Sequence, residues 1–156
     1  FFEVMIGLER AALLTPFRTS AERRVVLEIG AGWGGFAYQF KTLFPNTTYV
    51  VVDLPQTLLF SATYLMTCFP GMRAVFAGEG AGGGLPPDWQ GADLVFVPNT
   101  RLDLVRPTRL DLTINMVSFQ EMTTAQVESY VAHACELGCP YLYSLNRDRS
   151  RRTTAS

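Results

Sequence analysis

The sequence predicts an α/β chain with a doubly wound, mostly parallel sheet covered by helices on both faces. Three observations predict it. Short apolar runs rich in β-branched residues alternate with helical patterns along the chain. Those runs are continuous rather than alternating, as strands buried on both faces must be. A glycine cluster lies between the first run and the helix that follows it, the place where such a sheet turns beneath a ligand. At 156 residues, 48% of them apolar, the chain suits one domain that buries roughly 70% of its unfolded surface.

Residues 2–14 (FEVMIGLERAALL) repeat apolar side chains at steps of three and four, which predicts an amphipathic helix. Thr15, Pro16 and Ser20 break it, so residues 1–20 form a helix and linker ahead of a core at 21–146. VVLEI (25–29) is the first strand. Over 34–44 the pattern predicts a helix with Phe36, Phe40, Leu43 and Phe44 on its apolar face and Lys41 off it; Pro45-Asn46 ends it. TYVVVD (48–53) is the second strand. Pro55 opens a helix with an apolar stripe of Leu58, Leu59, Ala62, Leu65 and Met66, closed by Phe69-Pro70-Gly71.

MRAVFA (72–77) reads as a short strand, and GEGAGGG (78–84) as a mobile loop running on through Leu85-Pro86-Pro87. DLVFV (93–97), DLTINM (111–116) and YLYSL (141–145) are further strands. Residues 123–138 form a helix with Thr123 or Thr124 as its N-cap. The last stretch, 147–156, is polar and carries Arg147, Arg149, Arg151 and Arg152, the composition of a solvated tail. Right-handed crossovers place successive strands outward from the first and then back past it. The ligand crevice then lies beyond the C-terminal ends of the strands at 25–29 and 111–116.

With 13 basic and 14 acidic side chains, the chain has no broad electrostatic pull toward nucleic acid or anionic membrane, and neither is expected as a partner. No stretch reaches the ~18–20 apolar residues of a membrane span. No basic flank followed by an apolar run opens the chain, although a start at Phe1 leaves room for a lost leader. Three cysteines, Cys68, Cys135 and Cys139, lack Cys-x-x-Cys spacing or a nearby His pair; zinc and disulfides are not expected, and a reducing cytoplasm is. No acidic cluster has Mg²⁺ geometry, so no metal is expected.

The chemistry concentrates in Glu28-Ile29-Gly30-Ala31-Gly32-Trp33-Gly34-Gly35. Glycines allow a sharp turn and let backbone approach a ligand closely, and the helix behind presents free N–H groups. Gly30, Gly32 and Gly35 satisfy the G-x-G-x-x-G pattern. Asp53 ends the next strand at the same sheet edge. There it either accepts two hydrogen bonds from a ribose diol, each worth about 1.5–3 kcal/mol, or simply starts the helix at Pro55. Turn and acid together indicate a nucleoside-containing cofactor without choosing between NAD and S-adenosylmethionine. Glu28, two places before the first glycine, would crowd a pyrophosphate with negative charge but suits a ligand carrying a sulfonium and an ammonium group. Trp33 offers a cation–π face or packs.

EIGAGWGG followed by VVVDLP resembles motifs I and II of the class I S-adenosylmethionine-dependent methyltransferases. DLTINMVSFQEM resembles their fourth strand and the loop after it. With LVFVPN, the set is most similar to bacterial sugar O-methyltransferases, over roughly residues 20–146. The resemblance implies a Rossmann-like fold, S-adenosyl-L-methionine as cofactor and a sugar hydroxyl as methyl acceptor. It sets Gly30, Ala31, Gly32 and Gly34 along the methionine part of the cofactor, with Glu28 organising that end. Asp53 holds the ribose and Leu54 packs on the adenine. Asn99 and Thr100 lie near the adenine amino group if 93–97 is the third core strand; the opposite assignment gives that place to 72–77.

Glu121, in the loop after the fourth strand, is the candidate base, a role typically worth about 10²–10⁴ in rate; its alternative is an exposed carboxylate near a helix N-terminus. Ser118 and Gln120 bind the acceptor or are ordinary loop polarity. His133, the only histidine, is expected to pack or face solvent. Family members carry seven strands, the last two a hairpin beside the fifth. Here eleven residues follow Leu145, so a truncated chain with an open edge strand is expected. The alternatives are an O-methyltransferase for another small hydroxylated metabolite, an NAD-binding oxidoreductase, or a non-catalytic module of the same fold. Aromatic O-methyltransferases share Asp53-Leu54-Pro55, but their usual histidine base is not found here.

Overall fold

The computed structural model describes residues 1–147; the arginine-rich tail beyond Arg147 lies outside them. Six strands form one sheet in the order β3-β4-β2-β1-β5-β6, and every neighbouring pair is parallel. They are β1 (Arg24–Ile29), β2 (Thr47–Asp53), β3 (Ala74–Phe76), β4 (Leu94–Pro98), β5 (Leu112–Met116) and β6 (Leu142–Leu145). The helices are α1 (Phe2–Arg10), α2 (Thr15–Thr19), α3 (Gly35–Leu43), α4 (Pro55–Cys68) and α5 (Thr124–Glu136).

Side chains alternate across the strands, so each strand feeds two cores. Val26, Tyr49, Val51, Phe96, Leu112 and Ile114 pack with α1, α3 and α4 on one face. Val25, Leu27, Ile29, Val50, Val52, Val95 and Val97 pack on the other, with Val105 and Leu110 of the β4–β5 crossover and Tyr130 of α5. Burying each such side chain fully is worth about 1.5–3 kcal/mol.

The strand order departs from a simple outward progression. The chain leaves β2, skips one position to lay down β3, and returns to place β4 against β2. Leu94–Pro98 therefore holds the third core position, and Ala74–Phe76 is an outer edge. Composition explains the choice. Leu94, Val95, Phe96 and Val97 are all buried, whereas β3 buries only Val75. A strand with one buried side chain suits a single neighbour.

Three local expectations are corrected. The helix expected over residues 2–14 ends at Arg10, just before Ala12 takes a left-handed φ of +58°, and the expected break holds a second helix, α2, with Pro16 in its first turn. There its missing N–H is no loss, so the supposed breaker starts a helix. On α3, Leu43 is 60% exposed and Lys41 is fully buried. Lys41 Nζ donates to the carbonyls of Pro45 (2.9 Å) and Thr47 (2.6 Å) and lies 3.4 Å from Asp93 Oδ1. The Arg23 guanidinium donates to the same Thr47 carbonyl and to Asp93. This cluster closes the N-terminal ends of the strands, opposite the crevice. Burial drives the Lys41 pKa down to about 8.

On α4, Leu59 and Met66 are exposed although Leu58, Ala62 and Leu65 are buried. The three-residue β3 leaves the outer flank of α4 without a cover. An apolar groove of about 620 Å³ runs there, lined by Leu59, Met66, Phe76 and Pro98 among others. β6 pairs with β5 alone among the described strands, and Tyr141, Leu142 and Leu145 are exposed beside it. No helix of the described residues is long and apolar enough to cross a membrane.

Candidate functional site

The sheet reverses order between β1 and β5, so the segments leaving their C-terminal ends lead to helices on opposite faces, the place where a ligand crevice is expected. The turn leaving β1 borders it. Gly30 has a φ of +74°, and a Cβ there would overlap the Ser118 side chain. Gly32 has a φ of +59°, and no atom lies within 4 Å of where its Cβ would be. Side chains therefore brace the turn at Gly30 and leave it open at Gly32. Gly34 N-caps α3 in the left-handed conformation.

Asp53 closes β2 beside this turn. Its Oδ2 accepts the Gly32 N–H at 2.8 Å and its Oδ1 accepts the Leu54 N–H at 2.7 Å. Two backbone amides thus set the carboxylate against the open glycine, and each oxygen keeps a further lone pair. Burial raises the Asp53 pKa, against the two amides that lower it. Leu54 is about half exposed next to it. The register pairs Asp53 with Pro98, which brings Asn99 to the neighbouring position. Asn99 Oδ1 is buried with no hydrogen-bond partner, a state that costs about 1–3 kcal/mol. Thr100 is exposed beyond it.

Glu28 is 1% exposed. Its Oε2 accepts the Tyr49 hydroxyl at 2.9 Å, and its Oε1 has no partner. Burial pushes its pKa up to about 8, against the lowering effect of the Tyr49 bond. At neutral pH Glu28 is largely the neutral acid. It puts little negative charge on the turn, so charge at this residue does not separate a pyrophosphate ligand from a sulfonium one. Trp33 is half exposed and packs edge-on to Tyr64 at 4.9 Å and against Phe1 at 5.8 Å.

The loop after β5 is bound into the protein. Asn115 is fully buried. Its Nδ2 donates to the Ile29 carbonyl at 3.0 Å and to Ser118 Oγ, which itself donates to Ile29 O at 3.1 Å. Asn115 Oδ1 accepts from Asn146 Nδ2 at 2.9 Å. Gln120 donates its N–H to Asn146 Oδ1 and its Nε2 to Glu121 Oε1, and its Oε1 accepts the Arg147 N–H. Ser118 and Gln120 therefore both have internal partners. Glu121 is exposed on the short turn Phe119–Glu121. Between Asn115 and Ser118, Val117 holds a φ of +66°, a costly conformation for a β-branched residue.

Two residues were missed. Asn115 was detectable as an amide inside an otherwise apolar strand. Tyr130 was not, since on α5 it reads as ordinary apolar stripe. It comes from the far side of the sheet and lines a cavity together with Asn99. Burial raises its pKa, and the Asp53 charge adds to that. His133 is buried with Nε2 3.0 Å from the Val105 carbonyl, holding α5 to the crossover. Among the described residues, no three His, Cys, Asp or Glu side chains gather as a metal site, and the cysteines are free.

No family model matches the chain, and no curated protein matches it significantly. Solved structures do. An O-methyltransferase family protein from Burkholderia thailandensis matches over 98% of this chain and 42% of its own, at 16% identity and a TM-score of 0.55. The glycopeptide N-methyltransferase MtfA matches over 86% and 47%, at 18% identity and a TM-score of 0.53. The fold is the Rossmann-like one of these methyltransferases. PKMT2 from Rickettsia typhi aligns with 73% of the chain and 19% of its own length, at 14% identity and a TM-score of 0.51. The chain spans less than half the length of each of these three proteins. In this Rossmann-like chain the open glycine, the anchored carboxylate and the unpaired amide oxygen lie along one edge of the sheet.

Proposed function

We propose that this chain binds S-adenosyl-L-methionine and forms the donor-binding part of an O-methyltransferase acting on a sugar hydroxyl. The observation that carries the reading is the Asp53 carboxylate fixed to the amide of an unobstructed Gly32. Asp53 accepts the ribose hydroxyls with its remaining lone pairs. The open turn over Gly30, Ala31, Gly32 and Gly34 takes the methionine part, with Glu28 beneath it as the neutral acid. Leu54 offers an exposed apolar side chain to the adenine, and Asn99 and Thr100 border its amino group. MtfA, solved with sinefungin, supports an adenosyl site on this fold. The choice of oxygen and of a sugar rests on the resemblance of INMVSFQEM and its companion motifs.

The cofactor, when bound, supplies a methyl group already activated on a sulfonium. The protein then has to hold the acceptor hydroxyl in line, and positioning accounts for up to about 7–11 kcal/mol of such a barrier. Glu121 receives the hydroxyl proton in this scheme, and Ser118 and Gln120 border the acceptor side.

Isothermal titration with S-adenosylhomocysteine tests the reading. Binding is expected, and Asp53→Ala weakens it about 10-fold or more, since a charged acceptor is lost. A native chain that gives no binding heat removes the proposal. A second reading, a non-catalytic module of this fold, is favoured by the internal partners that Ser118 and Gln120 already have.

A further inference from the structure

We propose that Asn146, just past the end of β6, is a positioning residue for the glycine turn: it orients the Asn115 amide across β5, and that amide clamps the turn for the methionine part of the donor. The inference rests on the proposed adenosyl ligand. It goes further by giving a part in donor binding to a residue two strands away from the turn.

A hydrogen-bonded relay joins the C-terminal ends of β6, β5 and β1, which lie side by side in the sheet. Asn146 Nδ2 donates to Asn115 Oδ1 at 2.9 Å. Asn115 is fully buried, and its Nδ2 donates to the Ile29 carbonyl at 3.0 Å. Ile29 ends β1, so its carbonyl belongs to the peptide that leads into Gly30. Ser118 Oγ donates to the same carbonyl at 3.1 Å, and the Ser118 side chain fills the place that a Cβ on Gly30 would take. The end of β6 also holds the loop that carries Ser118. The Val117 N–H donates to the Leu145 carbonyl at 2.7 Å, and Val117 keeps a φ of +66°. A β-branched residue stays in that region only where its surroundings over-determine it.

A primary amide has a donor end and an acceptor end that exchange places in a half-turn. Asn115 points its acceptor at Asn146 and its donor at Ile29. The other orientation would set the Asn115 oxygen against the Ile29 carbonyl, two buried acceptors face to face. Asn146 selects the first orientation because it presents an N–H. Its own Oδ1 accepts the Gln120 N–H at 3.2 Å, which fixes which end of Asn146 faces Asn115. An aspartate at 146 has the same size but offers only acceptors. The Asn115 amide then turns over to donate to it, and the carbonyl before Gly30 loses the Asn115 clamp. Asn146 thus acts on the turn without touching the ligand.

The test titrates the full chain with S-adenosylhomocysteine and with 5′-methylthioadenosine, which keeps the adenosine and lacks the amino-acid part. Asn146→Asp is expected to weaken S-adenosylhomocysteine about 10-fold and to leave 5′-methylthioadenosine within about twofold of native, the scale of one hydrogen bond lost at the methionine end alone. Asn146→Ala removes the donor without adding a charge, and about a threefold loss for S-adenosylhomocysteine is expected; it decides the matter if the aspartate variant does not fold. Ser144→Ala removes the other acceptor of Asn146 Nδ2, 2.8 Å away, and should change neither affinity. In ligand-free NMR spectra, Asn146→Asp should shift the Gly30 and Gly32 amides and leave Lys41 in place. A merely structural role would weaken both ligands equally. Equal losses, an unchanged affinity for S-adenosylhomocysteine, or unmoved glycine amides overturn the inference and leave the donor site standing. Binding of neither ligand by the native chain overturns both.

Discussion

Glu28 carries the most telling charge state in the chain. Its pKa in the fold is about 8 against 4.5 in the open chain, because burial disfavours its carboxylate. A folded pKa above the unfolded one means that the native state binds the proton more tightly. Its contribution to stability is complete below about pH 4.5 and is lost as pH rises through about 8. Thermal melts of the native chain and Glu28→Gln from pH 5 to 9 should show the native chain losing stability relative to the variant, on the order of a few kcal/mol in all. Parallel curves would mean that Glu28 ionises inside the fold without penalty. The residue was visible in the sequence; its protonation was not, since it comes from burial in the assembled core, which outweighs the opposing Tyr49 bond. Lys41 teaches the same lesson from the cationic side. One lysine beside an apolar stripe looks solvated until the carbonyls of Pro45 and Thr47 and the Asp93 carboxylate arrive from other elements to hold it.

At the level of elements, the strands and long helices were legible because each is a continuous apolar run or a sustained stripe. Boundaries moved where tertiary neighbours decided them. Leu59 and Met66 fit a helical stripe, yet the brevity of β3 leaves them exposed. The sequence left two strands, 72–77 and 93–97, as candidates for the third core position, and the structure gives it to β4, beside β2. The glycine turn was legible as a turn, but its two functions separate only in space. Gly30→Ala meets both a left-handed φ and the Ser118 side chain and should destabilise the chain by about 2–4 kcal/mol. Gly32→Ala meets only the backbone restriction, and about 1–2 kcal/mol is expected. It should weaken S-adenosylhomocysteine more than its small stability loss explains. Denaturant titrations together with binding isotherms check the pair; equal stability losses would contradict the bracing contact between Ser118 and Gly30.

For the molecule as a whole, the parallel sheet concentrates its open polar groups at one edge and its ion cluster at the other. Arg23, Lys41 and Asp93 tie the N-terminal ends of the strands together, and the carboxyl ends are left for a ligand. That polarity follows from parallel pairing and from the crossover that returns past β1, and both were legible in the alternation of strands and helices. The contribution of α5 was not legible, because Tyr130 reaches the edge only once the crossover has placed that helix on the second face. The central claim is that Gly32, Asp53 and the residues after β4 hold one adenosyl ligand. Amide chemical shifts recorded by NMR during titration with S-adenosylhomocysteine test it most directly. The account predicts saturable shifts at Gly32, Asp53, Leu54 and Asn99, with Lys41 and Thr47 at the far end unmoved. Saturation with those four amides unshifted would contradict it.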